Sequence, residues 1–134
     1  MTRLTFSKNE RLSSQKEIDQ LFKEGKSITN PPLKLIWFKK ESMDQSIPCV
    51  QVMFGVPKKN FPRAVDRNRM KRLMRESYRL SKNELFEKMS SDTGYNVALL
   101  FTGKEITDFD TIQLALKNAL ERWLKKITST TPTS

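Results

Sequence analysis

The sequence predicts an α+β domain in the order helix, strands, helix, strand, helix. Three observations carry that expectation. A capping box, Ser14-Gln-Lys-Glu17, opens a short amphipathic run that stops at Gly25. Two later stretches, residues 33–40 and 50–56, alternate or concentrate apolar residues as strands do and are bounded by prolines. Between Asp66 and Arg79 the apolar residues recur with helical spacing, and six cations share the same fourteen residues.

Taken in order, Ile18, Leu21 and Phe22 fall at i, i+3 and i+4 behind the capping box, and Gly25 supplies a stop. Pro31-Pro32 forbids a helix and leads into a strand from Leu33 to Lys40. In that strand Lys34, Ile36 and Phe38 share one face, and Leu33, Leu35 and Trp37 the other. Glu41 to Pro48 reads as a loop. Val50 to Val56 is a second strand ended by Pro57, and Lys58 to Val65 is a loop with two adjacent lysines. Ser90 to Gly94 is a turn, and Tyr95 to Phe101 is apolar enough to be buried on both faces. Thr107 to Asp110 resembles a second cap. The last helix carries Phe109, Ile112, Leu116, Ala119, Leu120, Trp123 and Ile127. Residues 1–127 are expected to form a single domain, and the polar tail 128–134 to be disordered.

The basic segment, expected to be helical to about Lys88, has the most pointed chemistry. Met70, Leu73, Met74, Ser77 and Tyr78 lie on one helical face. Asn68, Lys71, Arg72, Arg75 and Arg79 fall in one arc on the opposite side, with Arg67 and Arg69 at the start. Solvated helix faces mix signs to gain i,i+4 pairs. Between Asp66 and Arg79 only Glu76 is acidic inside the helix, and Asp66 at its start is expected to be the N-cap. One face therefore docks on a core, and the other shows a row of cations to a phosphate backbone.

The chain bounds its partners and excludes several chemistries. At 134 residues it suits one compact domain. Its net charge of +10 and pI near 9.9 call for a polyanionic partner. Mean hydropathy is −0.61, and no stretch approaches the ~20 apolar residues of a membrane span. Without a signal-peptide pattern, a cytoplasmic location is expected. The sequence has no histidine, so imidazole-based catalysis and zinc sites are excluded. Cys49 is the one cysteine and reads as a packed thiol. The acids are scattered, and no motif gathers them into a catalytic set.

Arg67-Asn68-Arg69, continued as Met-Lys71-Arg72-Leu-Met-Arg75-Glu76, resembles the Arg-Asn-Arg motif of the bacterial ribonuclease P protein subunit. Supporting pieces stand in the same order: Leu12 to Gly25 with Phe-Lys-Glu-Gly at its end, Phe54-Gly-Val-Pro-Lys58-Lys59, and Ala64-Val65 before the motif. The resemblance covers roughly residues 6 to 125. The chain departs from the pattern at Pro57, where the family usually has serine. It also departs at Ile18 and Ile36, where aromatics are common, and its linker before the motif is longer by about one residue.

The resemblance implies a ribosomal-protein-like fold, αβββαβα, with a mixed four-stranded sheet, three helices and a left-handed strand–helix–strand crossover. It implies an endoribonuclease in which catalytic RNA with bound Mg²⁺ hydrolyses one phosphodiester of precursor tRNA. The protein would be an accessory subunit, inactive alone and without a further protein partner. On this reading Arg67, Asn68, Arg69, Lys71, Arg72, Arg75 and Arg79 contact the catalytic RNA, with Arg67 and Arg69 largely exposed. Phe22, Lys34, Ile36, Phe38, Lys58 and Lys59 line a cleft for the single-stranded 5′ leader. Core packing is the competing reading for Phe22 and Phe38. Other functions stay open from the residues alone. A ribosomal protein or ribosome-assembly factor would share the charge and size, and only the Arg-Asn-Arg spacing speaks against it. A DNA-binding helix would normally follow a helix–turn–helix rather than a loop and a strand.

Overall fold

The computed structural model describes residues 11–40, 50–87 and 94–128. The elements run α1 (Gln15–Glu24), β1 (Lys26–Asn30), β2 (Leu33–Lys39), β3 (Val50–Gly55), α2 (Ala64–Glu87), β4 (Tyr95–Phe101) and α3 (Phe109–Thr128). The loop expected at Glu41–Pro48, Cys49, most of the turn expected at 90–94, and residues 129–134 of the tail lie outside the described residues.

The sheet order is β1-β2-β4-β3. β1 and β4 both pair antiparallel with β2, while β3 and β4 are parallel neighbours joined through α2. The sheet is therefore mixed, and the fold is α+β. β1 has no strand signal of its own, because Lys26-Ser-Ile-Thr-Asn buries only Ile28. Its order comes from pairing, Lys26 with Trp37 through Asn30 with Leu33, across the Pro31-Pro32 turn. α3 blunts this edge strand. Asn30 Nδ2 donates to the Ala115 carbonyl at 3.2 Å, and Arg122 Nη1 donates to the Thr29 carbonyl at 2.7 Å.

The caps follow expectation at two helices and depart from it at the third. Ser14 Oγ accepts from the Glu17 amide, and Asp108 Oδ1 accepts from the Thr111 amide at 2.9 Å. Hydrogen bonds from Thr111 hold the Asp108 carboxyl below its usual range. α2 begins at Ala64, two residues before the expected cap. Asp66 thus sits inside the first turn, where its charge still suits the dipole. Gly25 ends α1 for a steric reason and not through a left-handed turn: it is extended, with φ −71° and ψ 159°. A Cβ there would collide with the Leu21 carbonyl and come within 3.0 Å of the Trp37 carbonyl. Glycine lets the end of α1 lie directly on β2.

Strand alternation divides the interior into two unequal parts. Leu33, Leu35, Trp37, Val50, Val52, Val97, Leu99 and Phe101 form one sheet face and pack under α2 and α3. α2 contributes Met70, Met74 and Tyr78 to that core, and α3 contributes Ile112, Leu116, Leu120 and Trp123. Trp37, Tyr95 and Trp123 pack as an aromatic triple, with centroids 5.3–6.3 Å apart. On the opposite face a small cluster of Leu12, Leu21, Ile36 and Ala98 sits beneath α1. The backbone before α1 is tied to the β3 edge by the Leu12 amide, which donates to the Val52 carbonyl at 3.0 Å.

Candidate nucleic-acid interfaces

α2 is amphipathic as its spacing requires. Met70, Met74, Ser77 and Tyr78 are buried, and Leu73 packs at the edge of the core. Asn68, Arg69, Arg72 and Arg75 are exposed. These side chains rise along the helix in steps of about 1.5, 4.5 and 4.5 Å. Lys71 flanks the row and is half-buried.

Two members of the expected set have other engagements. Arg67 is half-buried rather than largely exposed, and its Nη1 donates to the carbonyls of Phe61 and Pro62, each at 2.8 Å. Its position in the helix aims it back over the loop it follows. Arg79 pairs with Glu76 one turn before it. That hydrogen bond and ion pair hold the Glu76 carboxyl low and the Arg79 guanidinium high.

The second surface is the sheet face beneath α1. The register sets three rows across β2, β4 and β3: Lys34–Leu100–Gly55, Ile36–Ala98–Met53, and Phe38–Asn96–Gln51. The middle row carries α1, and Ile36 is buried there as floor, only 8% exposed. Lys34, Leu100, Met53 and Phe38 remain half-exposed around it. Phe38 packs at the edge of the small cluster and is not enclosed. On α1, Leu21 is wholly buried and Phe22 is 47% exposed, so the core reading belongs to Leu21. Lys58 and Lys59 are exposed in the turn after β3, at the same end of the sheet as the Lys34 row. Lys34 and Phe38 lie four residues apart on β2, about 13 Å.

The structure adds residues that the strand reading of β2 alone did not name. Lys40 continues the even-numbered face beyond Phe38, and its Nζ donates to Gln51 Oε1 at 2.6 Å. Burial pushes its pKa down, opposed by the nearby Glu17 carboxylate. Leu100 and Met53 enter through cross-strand register, which a single strand's alternation does not reveal. Among the described residues, no group of three His, Cys, Asp or Glu side chains could hold a metal ion. No helix among them is long and apolar enough to cross a membrane.

Three helices on a mixed four-stranded sheet, with the basic helix joining two parallel strands, make up the fold that the Arg-Asn-Arg resemblance implied. Residues 6–127 match the family Ribonuclease P. The chain belongs to the ribonuclease P protein family. It is 36% identical over 117 residues to the ribonuclease P protein component of Porphyromonas gingivalis, covering 87% of this chain and 84% of that protein. It is 51% identical over 80 residues to the component from Chlorobium phaeobacteroides, covering 59% of this chain and 55% of that one. Among solved structures, the RNase P protein from Thermotoga maritima superposes with a TM-score of 0.65 at 27% identity, covering 84% of this chain and 96% of that one. Membership in the ribonuclease P family gives the chain an RNA-binding role in tRNA processing, as the protein component of a ribonucleoprotein.

Proposed function

We propose that α2 binds the catalytic RNA of ribonuclease P, while the half-open sheet face beneath α1 holds the single-stranded 5′ leader of precursor tRNA. The exposed row of Asn68, Arg69, Arg72 and Arg75 is the observation that carries the first half. Arginine forks suit bidentate phosphate contacts and also stack on bases. The leader half rests on a rim that mixes half-exposed apolar side chains, Phe38, Met53 and Leu100, with the cations Lys34, Lys58 and Lys59. Phe22 and Phe38 offer stacking surface worth about 1–3 kcal/mol per base. The lysines follow the leader backbone. Ile36 serves as floor under α1.

In this reading the RNA carries the hydrolysis, and the protein supplies charge and position. The described residues do not fit a protein-held Mg²⁺, because they offer no carboxylate cluster. Mg²⁺ bound by the RNA is what the family resemblance implies. The protein's cations offset the repulsion that rises when a negatively charged leader approaches a negatively charged catalyst. A ribosomal or assembly role would use α2 in the same way but has no need for a leader groove.

Reconstitution with the catalytic RNA of the same organism tests the proposal. The protein alone should cleave no precursor tRNA. Added to the RNA at low Mg²⁺, it should restore leader removal. Metal-dependent cleavage by rigorously RNA-free protein would overturn this division of labour.

A further inference from the structure

Within the Arg-Asn-Arg motif the three side chains face different surroundings. Asn68 and Arg69 are exposed, while Arg67 is half-buried and turned back toward the chain that precedes α2. We infer that Arg67 is a positioning residue that clamps the Lys58-Lys59 turn to the RNA-binding helix, and is not itself a phosphate ligand. The inference deepens the proposed function and rests on it.

The segment between β3 and α2 is held in several ways. The amides of Asn60 and Phe61 both donate to the Pro57 carbonyl, at 3.2 and 3.1 Å, closing the turn around Lys58 and Lys59. The Phe61 ring is buried against Phe101, with centroids 5.6 Å apart, and Asn60 Nδ2 donates to the Gly103 carbonyl at 3.5 Å. These contacts shape the turn and anchor it to the sheet and the chain after β4. A polar side chain of α2 adds a direct tie: Arg67 Nη1 donates to the carbonyls of Phe61 and Pro62. An Nη group has two hydrogens, and the two carbonyls account for both. Consecutive carbonyls converging on one guanidinium set the angle at which the turn leaves the helix. The separation between the α2 cations and the lysine pair is thereby tied to one side chain. Two RNAs held on two surfaces need that separation to be constant, since misplacement of about 1 Å is costly to positioning.

The test uses the reconstituted holoenzyme and two readouts: the salt dependence of catalytic-RNA binding, and the affinity ratio of precursor to mature tRNA. R69A should lower the log–log salt slope by about 0.7–0.9 per lost phosphate contact. R67A should leave that slope unchanged and lower the precursor preference by the same factor as K58A/K59A. Adding R67A to K58A/K59A should change the preference by no more than about twofold, since a clamp has nothing left to position. A salt slope reduced by R67A as much as by R69A would overturn the inference and leave the proposed function standing. So would an R67A protein with undiminished precursor preference, or losses that multiply in the triple variant. If K58A/K59A itself leaves the preference intact, the leader role of the lysine pair fails, and the clamp's purpose with it. Should R67A not fold, R67K carries the same comparison, because it keeps the charge and loses the planar fork. A lowered preference at an unchanged slope supports the clamp, and either an undiminished preference or a reduced slope overturns it.

Discussion

The two faces of the sheet are built from alternate residues of the same strands, yet they are finished differently. The face under α2 and α3 is closed: Leu33, Leu35, Val52, Val97, Leu99 and Phe101 are essentially inaccessible, and three aromatic rings fill its centre. The face under α1 is covered less completely among the described residues: Leu21 meets Ile36 and Ala98 in the middle row and Asn96 is buried in the next, while Lys34, Phe38, Met53 and Leu100 stay half-exposed. Two long helices cover the first face, and one helix of ten residues covers the second. A small domain needs one well-packed core to stand, and it can leave the other face partly open once that core exists. Stability should therefore be concentrated on the closed face and ligand dependence on the open one.

Truncating the closed face sharpens the contrast most. Trp123→Ala removes a side chain with no exposed surface from the aromatic triple. It should cost about 3–5 kcal/mol in chemical denaturation. A loss under about 1 kcal/mol would mean that the two faces share the stability evenly.

Phe38→Ala probes the open face. Phe38 is half-exposed at the edge of the small cluster, so its loss should cost less stability than Trp123. In the holoenzyme it should weaken precursor tRNA by about 1–3 kcal/mol per lost stack and leave mature tRNA nearly unchanged. Equal losses for both tRNAs in a folded variant would return Phe38 to a packing role.

R69A/R72A tests whether the exposed row of α2 lies outside the stability account altogether. Both side chains are exposed, so unfolding free energy should move within about 0.5 kcal/mol. The salt slope of catalytic-RNA binding should fall by about 0.7–0.9 for each contact removed. An unchanged slope with a lower melting temperature would make these arginines structural.

The smallest effect concerns Lys40, at the Phe38 end of the open face. Burial holds its pKa below the ordinary lysine value, so the unfolded chain binds this proton more tightly than the folded one. Stability should then rise with pH as the window between the lowered pKa and 10.5 is crossed. Denaturation midpoints of the wild type and of K40M, measured from neutral pH into that window, should diverge in favour of the wild type. Parallel curves would show that Lys40 is as well solvated folded as unfolded.

The features whose physics is local are legible in the order of residues. Capping chemistry announced α1 and α3, alternation separated Lys34, Ile36 and Phe38 from Leu33, Leu35 and Trp37, and 3.6-residue spacing divided α2 into a core face and a cationic face. The Arg-Asn-Arg run carried the family. Other features depend on neighbours far along the chain and emerge only in the folded molecule. β1 is a strand because β2 and α3 hold it. Leu100 and Met53 join the open face through register with β2 and β4. Asp66 is not the cap of α2, because the helix starts earlier, at Ala64. Within one motif, Arg67 turns back to two carbonyls while Arg69 faces solvent. Periodicity reports which side of an element a residue occupies. What stands opposite that side is set by long-range packing, and that packing separates a floor residue such as Ile36 from a rim residue such as Phe38.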